Sequence, residues 1–157
     1  MGKVKAEAGT QKQALNEAGR LGGGIRAAGQ LRQGKAPSMA AMVTGAALVE
    51  VLRPRRSKLL PRHFVLAVTE DRVVAYKASG GSPEHESGPY EISIREAEEG
   101  SWPRDSVRIT DLEEGDQSKG GTLEITTEAG TTERIPVARP NLSGDPDTDE
   151  LLRELSA

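Results

Sequence analysis

The segment Phe64-Val-Leu-Ala-Val-Thr69 limits the fold more than any other part of the chain. It is an unbroken apolar run of strand length, rich in β-branched residues and free of charge. Such a run marks a strand covered on both faces, because a half-exposed strand would alternate. Glu70-Asp71 forms a tight polar turn, and Arg72-Val-Val-Ala-Tyr-Lys77 returns as the partner strand. A hairpin buried front and back therefore has to lie at the centre of whatever core exists.

Downstream the pattern becomes alternating. Tyr90, Ile92 and Ile94 interleave with Glu91, Ser93 and Arg95, which predicts a half-buried strand after a Gly/Ser/Pro loop over 79–89. Glu96 to Ser101 reads as a second loop. Val107 to Thr110 alternates again, and Asp111 to Gly121 is an acidic loop. Leu123 and Ile125 face inward on the next strand. Glu128-Ala-Gly130 is a turn whose glycine supplies positive φ, and Thr131 to Val137 returns. Pro136 cannot donate to a ladder, which predicts an edge strand there. Asp147 as N-cap with Glu150 three residues on predicts a capping box. Leu151, Leu152 and Leu155 then form the apolar face of a short final helix.

The N-terminal part reads differently. Leu15, Ala18, Leu21, Ile25, Ala28 and Leu31 recur at helical spacing, yet Gly19, Gly22, Gly23, Gly24 and Gly29 interrupt them. Each glycine costs a helix about 1 kcal/mol relative to alanine. The expectation is a flexible or weakly helical basic segment over 1–45, with a domain over 46–157. Residues 39–48 predict a short helix behind a Pro37-Ser38 break, and Pro54 stops whatever follows. Charge divides the same way. Residues 1–63 carry 12 Lys/Arg against 3 Asp/Glu, whereas residues 64–157 carry 9 against 21. This predicts a basic arm on an acidic body.

The fold class that follows is mainly β (α+β): an antiparallel β-barrel or sandwich of about six or seven strands with a C-terminal capping helix. The order resembles bacterial PH-like and GRAM-like domains of the pleckstrin-homology-like superfold. The likeness is carried by Leu60-Pro-Arg-His-Phe-Val-Leu-Ala-Val-Thr-Glu-Asp-Arg-Val-Val-Ala-Tyr-Lys77, Ser101-Trp-Pro-Arg-Asp-Ser-Val-Arg-Ile109, the Gly121 to Val137 hairpin and the Leu-rich final helix. It covers residues 46–156. The resemblance implies two antiparallel sheets plugged at one end by the helix, and a non-catalytic module that binds lipid, peptide or protein. Phosphoinositide-binding members carry Lys–(Lys/Arg)–x–Arg across their first two strands. This chain has Lys58 and Arg62, with Phe64 two residues further on.

Little in the sequence points to catalysis. Cysteine is absent, which removes thiolate chemistry, disulfides and cysteine-ligated metals, and suits a cytoplasmic location. His63 and His85 lie far apart and read as surface residues. Gly22-Gly-Gly-Ile-Arg-Ala27 matches G-x-G-x-x-A only formally, because no strand is expected before it. Asp145, Asp147 and Asp149 have the opening spacing of a calcium loop, but Glu150 stands where its glycine belongs and Ser156 where its last carboxylate belongs. Trp102 reads as a packing residue. No cofactor or metal is expected, and no stretch reaches the ~20 apolar residues that span a bilayer. The candidate contact residues are Arg53, Arg55, Arg56, Lys58 and Arg62, five cations within ten residues. Their expected partner is a protein or the anionic inner surface of a membrane. Nucleic acid is disfavoured by the acidic body and the lack of clustered aromatics. An alternative is a structural or regulatory protein that assembles through a Gly/Ala-rich N-terminal helix.

Overall fold

The computed structural model describes residues 3–7, 9–34, 57–80, 91–112, 120–139 and 146–156. Its elements in chain order are β1 (Lys3–Glu7), α1 (Gln11–Glu17), β2 (Ala27–Gln33), β3 (His63–Val68), β4 (Arg72–Gly80), β5 (Glu91–Pro103), β6 (Val107–Thr110), β7 (Gly120–Thr126), β8 (Thr132–Ala138) and α2 (Pro146–Ser156). The eight strands form one antiparallel sheet in the order β1-β5-β4-β3-β2-β8-β7-β6. The order ends on β1 and β6, so the sheet has two edges and is not a closed barrel.

The central hairpin is where the apolar run places it. Phe64, Leu66 and Val68 enter one buried cluster, together with Val73, Ile109, Leu123, Ile125, Ile135 and the α2 leucines. Val65 and Ala67 enter a second cluster on the other face, with Val74, Tyr76, Ile92 and Ile94. Every residue from Phe64 to Val68 is inaccessible to solvent. The turn is closed by the Thr69 N–H donating to the Arg72 carbonyl at 2.9 Å, while Thr69 Oγ1 accepts the Arg72 N–H at 3.2 Å. Gly130, at φ +82°, closes the β7–β8 turn as expected.

The N-terminal residues depart from the helical expectation. Among the described residues of this segment only Gln11–Glu17 is α-helical; Ala27–Gln33 is a strand, paired with β3 from Ala27↔Val68 to Arg32↔His63. The spacing misleads because β2 is covered on both faces. Ala27 and Leu31 face the first interior and Ala28 the second, so polar alternation is absent. Residues 3–31 also supply Ala6, Leu15, Ile25 and Ala28 to the second interior. The boundary expected at 45/46 and the helix expected over 39–48 lie outside the described residues.

Three smaller expectations are corrected. The loop expected over Glu96 to Ser101 is the continuation of β5, which pairs with β4 through register shifts around Tyr76. Its inward alternation is lost because residues 95–99 are exposed. β8 lies inside the strand order and not at an edge, yet it meets β2 only at Arg32↔Ala138 and Gln33↔Val137. Pro136 sits just before that short ladder. Its carbonyl accepts the Gly34 N–H at 2.8 Å. A strand residue aims its N–H and C=O the same way, so the missing proline donor would face Gly34, at the end of this short ladder. Finally, α2 begins at Pro146, with the fixed φ suited to a first helical turn, and Asp147 lies inside the helix. The Asp147 carboxylate accepts the Lys12 N–H of α1 at 2.9 Å, capping a helix that lacks a side-chain cap of its own.

α2 docks on β2 at Gly29. A Cβ at that position would lie 2.7 Å from Thr148 Cα and 3.1 Å from a Leu151 methyl. Gly29→Ala, which ordinary strand preference favours, is therefore expected to lower stability by about 1–3 kcal/mol through overpacking. The check is the urea midpoint; an unchanged or raised midpoint would contradict this close docking.

On the outer face of β6, β7 and β8, Glu124 receives Arg108 at 2.8 Å and Arg134 at 3.2 Å. The hydrogen bond from Arg108, aided by the charges of both arginines, holds the Glu124 carboxyl below its ordinary range despite an opposing desolvation effect. A depressed folded-state pKa stabilises above the unfolded value, and this stabilisation disappears as pH falls through the folded value. The melting difference between the wild type and Glu124→Gln should thus be present near pH 7 and vanish toward about pH 2. A difference that stays constant over that range would show that the carboxylate charge contributes nothing.

Candidate functional site

The basic connector is anchored by one amide. Gln33, the last residue of β2, is 6% exposed. Its Nε2 donates to the carbonyls of Ser57, Leu60 and Pro61 at 3.1, 2.8 and 3.1 Å, and its Oε1 accepts the Ser57 N–H at 2.8 Å. A buried amide satisfied this fully fixes the backbone around it. Ser57 Oγ accepts the Leu59 N–H at 3.1 Å and donates to the Glu133 carboxylate of β8. Leu60 is buried in the first interior and Leu59 packs against it. The connector is thus pinned at the β2–β3 corner by polar bonds and by leucine.

From this platform Lys58 and Arg62 project into solvent. Arg53, Arg55 and Arg56 lie outside the described residues. The structure adds a cation that the sequence reading overlooked, Arg32 of β2, half-buried and directly opposite His63 in the ladder. Burial, and secondarily the positive charge of Arg62, push the Arg32 guanidinium below its ordinary value. Arginine still stays charged throughout the physiological range. Arg32 and Arg62 repel each other at this corner, which also carries the exposed Lys58 next to the clamped Ser57, and an anion there would relieve the repulsion. Arg32 escaped notice because residues 1–37 read as a separate arm; only recognising β2 as a strand would have brought it beside Arg62.

The other residues singled out in the sequence have structural surroundings. His63 is half-buried at the start of β3, and His85 lies outside the described residues. Trp102 is half-buried against the first interior, its indole lying across Gly100 so closely that a Cβ there would meet it at 2.4 Å. Gly22 and Gly23, at φ +72° and +77°, turn the chain into β2, the reverse of the strand-to-helix turn a dinucleotide site uses. Asp147 serves α1, and Asp149 pairs with Arg139. Asp145 lies outside the described residues. Tyr76 is pushed above its ordinary value mainly by burial, although Arg20 hydrogen-bonds to it and sits 4.9 Å from its ring centre. Its hydroxyl therefore stays protonated. Among the described residues no group of three or more His, Asp or Glu is placed to hold a metal ion, and no helix is long and apolar enough to cross a membrane. No protein-family model matches the chain, and no curated protein shows significant similarity to it.

Proposed function

We propose that this chain is a non-catalytic binding module of PH-like architecture that contacts an anionic surface through its basic β2–β3 corner. The surface belongs to a protein partner or to the inner face of a membrane. The PH-like reading is supported by antiparallel strands in meander order around a shared interior that a C-terminal helix seals. The contact reading rests on one observation: the Gln33 clamp presents Lys58 and Arg62 beside Arg32 on a fixed platform. Fixed cations lose less entropy on binding than cations on a free linker. The alternative reading, assembly through a Gly/Ala-rich N-terminal helix, has less support, because residues 27–33 of that segment form a buried strand.

Vesicle co-sedimentation tests the membrane arm. Wild type is expected to bind vesicles containing phosphatidylserine or phosphatidylglycerol. Each lysine or arginine near the surface contributes about 1 kcal/mol, so the binding should weaken with salt. Arg53/Arg55/Arg56→Ala and Lys58/Arg62→Ala should each reduce it several-fold. Gln33→Leu, which keeps the charges and frees the connector, should reduce it less. Absence of sedimentation at low salt would remove the membrane and leave an acidic protein surface as the partner. Binding unaffected by both charge variants would refute the corner altogether.

A further inference from the structure

A second candidate element lies at the β1 edge of the sheet, away from the basic corner. Among the described residues β1 is an edge strand, paired with β5 on one side only. The Glu7 N–H donates to Thr10 Oγ1 at 2.9 Å, and the Glu7 carbonyl accepts the Thr10 N–H at 2.9 Å. Both main-chain groups of Glu7 therefore point away from β5. Strand residues two apart aim the same way, so the main-chain groups of Lys3 and Lys5 face outward as well. Thr10 closes the edge at Glu7, and among the described residues nothing pairs with it at Lys3 and Lys5.

Beside this edge runs a groove of about 360 Å³ between β1 and α1. Lys5, Glu7 and Glu91 border it on the strand side; Gln13, Ala14 and Glu17 border it on the helix side. The border holds one cation against three carboxylates. Lys5 is already engaged with Glu91 at 3.6 Å. Glu17 accepts a neutral bond from Gln13 Nε2 at 3.0 Å, which leaves its charge uncompensated. Glu7 and Glu91 stand directly opposite each other in the ladder, an arrangement that costs stability when both carry like charge. A second copy of β1 is a poorer occupant: antiparallel self-pairing about Val4 fixes Lys3 against Lys5 of the other copy, whereas a peptide can set its cations opposite Val4 and Ala6, on the face that packs against α1.

We infer that the β1 edge and the α1 groove capture an extended, lysine- or arginine-bearing peptide segment as an added strand. Main-chain bonds to Lys3 and Lys5 hold its backbone, and Glu7, Glu17 and Glu91 receive its cations. Such strand addition draws affinity from the backbone and selectivity from alternate side chains. This site is separate from the basic corner and does not depend on it.

The test uses the full chain and fluorescein-labelled nine-residue peptides, read by fluorescence anisotropy. A peptide alternating lysine and threonine should bind, and its glutamate–threonine counterpart should bind at least tenfold more weakly. N-methylation of alternate backbone nitrogens removes donors without touching the protein. In one of the two frames it should weaken binding at least tenfold, and in the other much less. Glu7→Gln/Glu17→Gln should weaken binding several-fold, while Glu128→Gln, at the exposed β7–β8 turn, should leave it unchanged. Failure of the lysine peptide to bind would overturn the inference. So would equal binding after methylation in both frames, or equal loss in the Glu128 variant, since either would mark mere attraction to an acidic protein.

Discussion

How closely α2 approaches β2 decides the rest of the architecture. β2 pairs with β3 over six residues but with β8 over only two, so the sheet parts on one side of β2. The opened backbone needs partners, because a buried strand with unpaired groups is costly. α2 enters this wedge, and Thr148 Oγ1 accepts the Gln30 N–H at 3.2 Å. The same approach seats Leu151, Leu152 and Leu155 among residues from both arms of the sheet. One glycine makes the geometry possible, and no side chain that strand propensity favours could replace it. The helix therefore serves at once as a hydrogen-bond partner for the parted strand and as the lid of the first interior.

This dependence explains which parts of the fold could be read from sequence. Elements with a single clear period were legible: the doubly buried β3, the alternating start of β5 with Ile92 and Ile94 inward, the β7–β8 hairpin with its Gly130 turn, and the leucine face of α2. β2 was not. Its sequence, Ala-Ala-Gly-Gln-Leu-Arg-Gln, is composed of residues that strands use sparingly, and its role comes from tertiary contact with α2 and β3. The glycine that argued against a helix was a docking site for one. Half of the candidate site shared this fate. Lys58 and Arg62 stood out as charges in sequence, whereas Arg32 and the Gln33 clamp acquire meaning only when β2 is placed beside β3. Gln33 has no local signature, since an amide bridging its own strand to a connector two dozen residues later leaves no period to detect.

The charge asymmetry between the two halves of the sequence is likewise reinterpreted by the fold. A basic arm tethered to an acidic body would attract it diffusely. In the folded chain the N-terminal residues lie on the sheet, and their cations meet particular partners: Lys5 meets Glu91, Lys12 meets Glu150 at 2.9 Å, and Arg20 covers Tyr76. The first two pairs are substantially exposed, and exposed ion pairs contribute about 0–1 kcal/mol each. They cannot be what holds the segment down. Leu15 and Ile25 are almost fully buried, and full burial of such a side chain contributes about 1.5–3 kcal/mol. Asn16 further locks Ile25 by donating to its carbonyl and accepting its N–H, at 3.1 and 3.0 Å. Apolar burial thus secures the segment, and the ion pairs select the orientation in which it lands. Arg32 and Arg62 come together instead at the β2–β3 corner, in the middle of the strand order and away from the β1 edge. Glu7 and Glu17 border the groove beside β1, so the basic corner and this acidic groove occupy different places in the sheet.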